Sequence, residues 1–328
     1  MKRLVLLVCC LLLLVGCDNN PAPAPTPAPT DGVPEDLTCT LAYYDEEGWN
    51  PLATCNETNL PLFSLAYEGL FELDAQFRAT PVLCGTQTRR DNNTWRFTLT
   101  DATFSNNEPM TAYDVVYSYQ LARNPTSAYA GRFLNIDTVR ALGSKTVEIT
   151  TKSPNANLPR LLDIPVIEKS ADGKIRQGTG AYEFVQEGEG YALVRRQGWR
   201  DEAALPFDKI ALTPVGSLQQ LASALTADSV SLAAIDATDT SASWGGDYAH
   251  FDFPSTRMQY LGFNLKKTSL QSPLVRRALA CAMDRAGAVS DYAGLADPAA
   301  LPLHPSCVDF DATLAETLAY NPTRAKET

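Results

Sequence analysis

From Thr94 to Thr100 the side chains alternate. Trp95, Phe97 and Leu99 fall on one face and Arg96, Thr98 and Thr100 on the other, the period-two pattern of a half-buried strand. Leu70–Leu73, Thr146–Thr150, Ile210–Val215, Leu232–Ile235 and Met258–Asn264 read as further strands, and Tyr182–Val185 and Tyr191–Arg195 flank Glu187-Gly-Glu-Gly190 as a hairpin around a glycine-containing turn. Helical spacing takes over elsewhere. Asn59 can cap a helix that carries Pro61 in its first turn and runs through Phe63, Leu65 and Ala66. Thr111 and Asp114 form a capping-box-like start to a helix bearing Val115, Val116, Tyr119 and Leu121 to about Arg123. Ser217 caps a helix through Leu218, Leu221 and Leu225, and Ser272-Pro273 opens one whose apolar face is Leu274, Val275, Ala278, Leu279, Ala282 and Met283. Strands, hairpins and helices intermixed in this way predict an α/β fold with mixed sheets.

The amino terminus follows another pattern. Lys2-Arg3 precedes an apolar run from Leu4 to Val15, 12 residues long, where a bilayer span needs about 20. Leu14-Val15-Gly16-Cys17 closes the run and resembles the lipobox of bacterial lipoproteins, which implies removal of residues 1–16 and acylation of Cys17. The alternative is an ordinary secretory leader with a chance cysteine. Two or three acyl chains suffice for stable anchoring where one does not. Alternating Pro and Ala/Thr from Pro21 to Thr30 then favours an extended spacer, about 3 Å per residue. In a Gram-negative cell, Asp18 after the acylated Cys17 would resemble a signal for retention in the inner membrane.

Composition narrows the function. The 328 residues are 45% hydrophobic and 20% charged, with a net charge of -11, which becomes -13 once Lys2 and Arg3 leave with the leader. That balance excludes wholesale disorder and disfavours nucleic acid, whose binders cluster Lys and Arg against phosphates. Of eight cysteines, Cys39, Cys55, Cys84, Cys281 and Cys307 remain in the folded region. Export allows disulfides, with one bridge among Cys39, Cys55 and Cys84, and a Cys281–Cys307 bridge, as the preferred pairings. His250 and His304 are the two histidines, so an imidazole-rich metal site is disfavoured and no cofactor is expected; for His304 and Cys307, exposed loop positions are favoured over metal ligation. There is no G-x-S-x-G elbow, H-E-x-x-H pair or Walker A loop, and Gly178-Thr179-Gly180 precedes a strand instead of a helix. Nothing here demands an enzyme.

Several segments, in order, resemble the solute-binding proteins of peptide and nickel ABC transporters, the oligopeptide/dipeptide-binding class known as family 5. They are Asn50-Pro51-Leu52, Ala66–Phe71, Ala79–Leu83, Asn93–Leu99, Thr103–Ser118, Gly178–Tyr182, Leu261–Asn264 and Val275–Arg285. Asn107 departs from the pattern, standing where the family usually has glycine.

The resemblance implies a bilobal, mixed-sheet α/β fold of the periplasmic-binding-protein type II class, with the second lobe incomplete and the polypeptide truncated at its carboxyl end. Residues 1–16 would be the leader and 17–36 the lipidated linker. Residues 37–66 and 166–257 would form lobe I, 67–165 a subdomain packed on it, and 258–328 the start of lobe II. Peptide or another small solute would lie between lobes that close on it, near Trp49, Asn50, Trp244, Tyr260 and Asn264. The aromatic rings would stack on the ligand and the amides would hydrogen-bond it. The same residues read structurally would be core and turn positions. The expected role is a receptor anchored through Cys17 at the outer face of the cytoplasmic membrane, handing solute to a permease and ATPase on separate polypeptides. The alternative is a surface lipoprotein with a signalling or adhesive role on the same scaffold.

Overall fold

The computed structural model describes residues 38–53, 58–169, 175–201, 204–236, 238–239, 241–253, 256–290, 292 and 295–328. These residues all belong to one unit, Thr38–Thr328. The leader, Cys17, the Pro/Ala-rich segment and Cys55 lie outside the described residues.

Two four-stranded sheets carry the fold. In the first, β1 (Cys39–Tyr43) runs parallel to β10 (Lys209–Pro214), which pairs antiparallel with β9 (Gly190–Arg195), and β9 pairs with β8 (Tyr182–Glu187) at the edge. The second has the order β4 (Cys84–Arg89), β5 (Thr94–Leu99), β7 (Thr146–Thr151), β6 (Ile136–Ala141) and is antiparallel throughout. A small hairpin joins β2 (Phe71–Leu73) to β3 (Ala79–Pro81). This is the mixed α/β architecture that the alternation predicts.

The strands form where apolar alternation supplies a buried face. Phe97 and Leu99 of β5 are buried with Val147 and Ile149 of β7, beneath Val115 and Tyr119 of α2 (Ala112–Ala122). The predicted capping box is present, with Thr111 and Asp114 bonding each other's backbone. Asn107 has φ 66°, a left-handed conformation that asparagine adopts more readily than other non-glycine residues, which explains how it can stand in a glycine position.

Across the second sheet Glu148 takes Arg96 on one side (2.9 Å) and Arg140 on the other (2.8 Å). The Arg96 hydrogen bond, outweighing the effect of burial, holds the Glu148 carboxyl below its ordinary value of 4.5. A depressed folded pKa means the contribution is present above the unfolded value and lost as pH falls through the folded one. Arg96 is half-exposed and Arg140 exposed, so solvent screens both pairs; Glu148→Gln is expected to cost about 1 kcal/mol at pH 7. The gap between the urea midpoints of parent and variant should narrow as pH falls from 7 to 3; an equal gap at both pH values would refute the assignment.

Several local expectations need correction. Asn59 does not cap α1 (Leu60–Ala66); its own backbone is helical, and its side chain instead brackets Tyr44, accepting from the Tyr44 N–H (2.8 Å) and donating to the Tyr44 carbonyl (2.9 Å). Met258–Asn264 is not a strand; it pairs with no strand among the described residues. Leu232–Ile235 reaches only one isolated bridge, Leu232 to Leu41. Cys281 and Cys307 do not pair, and neither Cys39 nor Cys84 is bridged to another cysteine among the described residues. After the first-sheet strands come α3 (Leu218–Thr226), α4 (Thr268–Gln271), α5 (Pro273–Ala282), α6 (Arg285–Ser290), α7 (Ala312–Thr317) and α8 (Pro322–Glu327). The expected apolar face of α5 is there, but Leu274, Val275 and Leu279 on it are exposed.

Candidate ligand-binding site

The residues singled out from the sequence fall in three places. Trp49, 4% exposed, is enclosed by aromatic rings: Tyr191 at 4.5 Å, Tyr43 at 5.0 Å and Phe184 at 5.1 Å between centroids. Its indole N–H donates to Asp45 Oδ1 (3.3 Å). Asn50 is exposed and holds the loop, its Oδ1 accepting from the Leu52 N–H (3.1 Å). Trp244 packs on a separate small core of Ala42, Val215, Leu221 and Val230, and its indole N–H has no hydrogen-bond partner among the described residues.

Tyr260 is 77% exposed, so its ring is open to a partner. Asn264 holds a turn ahead of α4; its Oδ1 accepts from the Lys266 N–H and its carbonyl from the Lys267 N–H, each at 3.0 Å. The two tryptophans thus sit in different apolar clusters, while Tyr260 and Asn264 belong to the segment before α4.

A cavity of about 250 Å³ lies elsewhere, along β8 and the end of α1. It is lined by Ala66, Ser105, Gln177, Gly178, Glu183 and Tyr191, among others. Its floor is built by close backbone approach. A Cβ on Gly178 would lie 2.1 Å from the Ala66 carbonyl oxygen, and one on Gly180 would lie 2.5 Å from both the Ala66 carbonyl carbon and the Leu65 oxygen. Only glycine lets the strand reach α1 so closely. The Gly180 N–H then donates to the Ala66 carbonyl (2.9 Å), and the Gly178 carbonyl accepts from the Ser105 N–H (3.0 Å).

Arg196, 6% exposed, locks the same corner. Its guanidinium donates to the carbonyls of Gly180 (3.0 Å), Thr103 (2.9 Å) and Phe104 (2.9 Å) and to Thr103 Oγ1 (3.2 Å). Nearby, Glu68 is buried and takes both Arg200 nitrogens, while its own carbonyl accepts from Val166. That hydrogen bond raises the Arg200 pKa, whereas burial lowers that of Arg196.

Sequence reading missed Glu183 and Gln177 as lining residues. The available signal was the glycine pair, which marks a close backbone approach beside a strand. A second depression, apolar and about 400 Å³, runs between α5 and α8 over Val275, Leu279, Pro322 and Ala325. Among the described residues no cluster of His, Cys, Asp or Glu could hold a metal ion, and no helix is long and apolar enough to cross a membrane. His304 sits in a turn, bonded through Nδ1 to Ser306.

Comparison with known proteins places this geometry. The periplasmic oligopeptide-binding protein OppA of Salmonella typhimurium is 27% identical over 185 residues, which are 46% of this chain and 34% of that protein. The chain spans between about a third and a half of the length of the curated relatives it matches. Among solved structures, the ABC transporter substrate binding protein CtaP of Listeria monocytogenes superposes with a TM-score of 0.66 at 22% identity, covering 89% of this chain and 64% of that one. The oligopeptide-binding protein AppA of Bacillus subtilis, solved with a nonapeptide, gives 0.55 at 17% identity, over 89% and 63%. These likenesses establish the fold. The sequence model of the bacterial extracellular solute-binding proteins, family 5 (middle region), matches residues 79–328, about three quarters of the chain. The chain belongs to the bacterial extracellular solute-binding proteins of family 5.

Proposed function

We propose that the protein is a lipid-anchored receptor that binds peptides or similar small solutes outside the cytoplasmic membrane for import by an ABC transporter. The permease and ATPase would be separate polypeptides. Cys17, acylated, would tether the protein to the outer face of the membrane, with residues 17–36 as the spacer. The observation that carries the reading is the family match over residues 79–328, supported by relatives named for peptide binding. Residues 37–66 and 166–257 would form lobe I, with 67–165 packed on it. The sheet β1–β10–β9–β8 draws on the first two stretches and the sheet β4–β5–β7–β6 on the third, which supports that division. Residues 258–328 would begin lobe II.

Of the set Trp49, Asn50, Trp244, Tyr260 and Asn264, the exposed Asn50, Tyr260 and Asn264 would face the solute, with buried Trp49 and half-buried Trp244 supporting them from apolar clusters. Tyr260, with its ring free, would stack on the solute, and Trp49 would brace the loop that carries Asn50 from within the core.

A ligand that binds only the folded state raises the thermal midpoint. A peptide at 100 times its Kd adds about 2.7 kcal/mol, equivalent to about 5–11 °C in a domain of this size or somewhat smaller. Screening a peptide library by thermal shift is expected to find such a rise. A folded preparation that no peptide shifts would count against peptide reception and favour a signalling or adhesive lipoprotein. For the anchor, Cys17→Ser is expected to move the protein from the membrane fraction to the soluble one; retention of the variant would refute lipidation at Cys17.

A further inference from the structure

β8 is the terminal strand of its sheet, and one row of its backbone groups has no ladder partner. The pairing fixes which row. Arg195 donates its N–H to Asp208 on the β10 side, whereas Arg196 donates to Ala181 on the β8 side. With Tyr182 opposite Arg195 and Phe184 opposite Leu193, antiparallel parity turns the N–H and C=O of Tyr182, Phe184 and Gln186 away from β9.

The same outward row is already used further back along the sequence, where Gly178 is bonded by Ser105 and Gly180 by Ala66. The outward backbone groups of Tyr182, Phe184 and Gln186 meet no hydrogen-bonding partner among the described residues, and these three residues line the 250 Å³ cavity. A free edge of this kind is a template for another strand.

We propose that this edge binds an extended peptide segment carrying a basic side chain, added to the first sheet as a fifth strand beside β8. The four steps from Tyr182 to Gln186 span about 13 Å, room for four or five extended residues. Backbone bonds to the outward row supply affinity without regard to sequence, and the walls supply selection. Glu183 lines the cavity, half-buried, and its carboxylate makes no hydrogen bond or ion pair with the described residues. Arg196, whose charge acts on Glu183, is committed to four other oxygens, one at Gly180 and three at Thr103 and Phe104. A lysine or arginine placed across from Glu183 would answer that charge. The site borders the Trp49 cluster through Phe184 and Tyr191, but its outward backbone row shares no residue with the proposed solute-facing set, so it goes beyond the reception of solute between lobes.

The test uses the full-length protein and the blocked peptide acetyl-Thr-Lys-Thr-Lys-Thr-amide, whose termini carry no charge. Residue-resolved amide exchange is followed with and without peptide. At a concentration filling nine-tenths of the sites, the Tyr182, Phe184 and Gln186 amides are expected to exchange about tenfold more slowly. Gln186→Pro removes one outward donor at an exposed edge position without touching the β8–β9 ladder, and is expected to weaken binding about fivefold. Glu183→Gln is expected to weaken the lysine peptide several-fold and to leave the norleucine analogue unchanged. Should Gln186→Pro fail to fold, exchange in the parent protein decides. Unchanged exchange along β8 under saturation, or protection confined to the Trp49 and Tyr260 segments, would overturn the proposal. The second of these outcomes would leave solute reception standing.

Discussion

Gly180→Ala is expected to lower the thermal midpoint by about 6–12 °C. The new methyl would enter a space already filled by main chain: 2.5 Å from the Leu65 oxygen, 2.5 Å from the Ala66 carbonyl carbon and 2.8 Å from the Ala66 Cα. Backbone atoms of a packed helix end cannot swing aside as a side-chain tip can. Either α1 or β8 must shift, and the Gly180–Ala66 hydrogen bond goes with it. Overpacking of this sort costs about 3 kcal/mol or more, and each kcal/mol moves the midpoint by about 2–4 °C in a domain of this size or somewhat smaller. Gly131→Ala is the control, because a Cβ there meets nothing within 4 Å and φ is not left-handed; it is expected to be neutral within about 0.5 kcal/mol. Calorimetry on both variants decides. A Gly180→Ala midpoint within 2 °C of the parent would mean that the helix end yields, contrary to the contact geometry.

That glycine pair is visible in the sequence, and its position before a strand correctly sets it apart from phosphate loops. What it touches is not visible there, because Ala66 and Gly180 are brought together only by tertiary packing. Alternation locates β5, where Phe97 and Leu99 are buried and Thr98 between them is exposed, and β10 repeats it with Ile210 and Leu212. Met258–Asn264 has a similarly strand-like composition and forms none, since a strand exists only when another edge accepts its hydrogen bonds. The Asn59 side chain finds a better use bracketing Tyr44 than capping α1, a choice between a local and a long-range partner that spacing cannot reveal.

The candidate site divides on the same line. Trp49 stands out in the sequence as an aromatic residue beside a loop, and such a ring is equally suited to a core; the three neighbours that enclose it come from β1, β8 and β9. Tyr260, whose composition-based alternative is a core position, is exposed instead. The open edge of β8 cannot be read at all before the strand order is known. A sequence shows that a strand alternates, but whether it is central or terminal depends on which other strands reach it.

Arg196→Met is expected to destabilise the protein by about 3 kcal/mol and to loosen the corner that carries β8. The guanidinium is the shared donor for three carbonyls and one hydroxyl, and it ties the start of the hairpin at Gly180 to the Thr103–Phe104 segment. Methionine fills the volume but donates nothing, leaving buried carbonyls short of a partner at about 1–3 kcal/mol for such groups. Lysine keeps the charge and loses the planar fork, so Arg196→Lys is expected to recover less than half of the loss. Burial works against the charged guanidinium, while Glu183 and Glu68 favour it, so the charge itself contributes less than the geometry of its donors. Urea unfolding separates the two: equal midpoints for the lysine variant and the parent would make charge the deciding factor, and a methionine variant within 1 kcal/mol of the parent would remove Arg196 as the clamp. Since Gly180 carries both the Arg196 bond and the α1 contact, the methionine variant is also expected to speed amide exchange at Gly180 before any global unfolding.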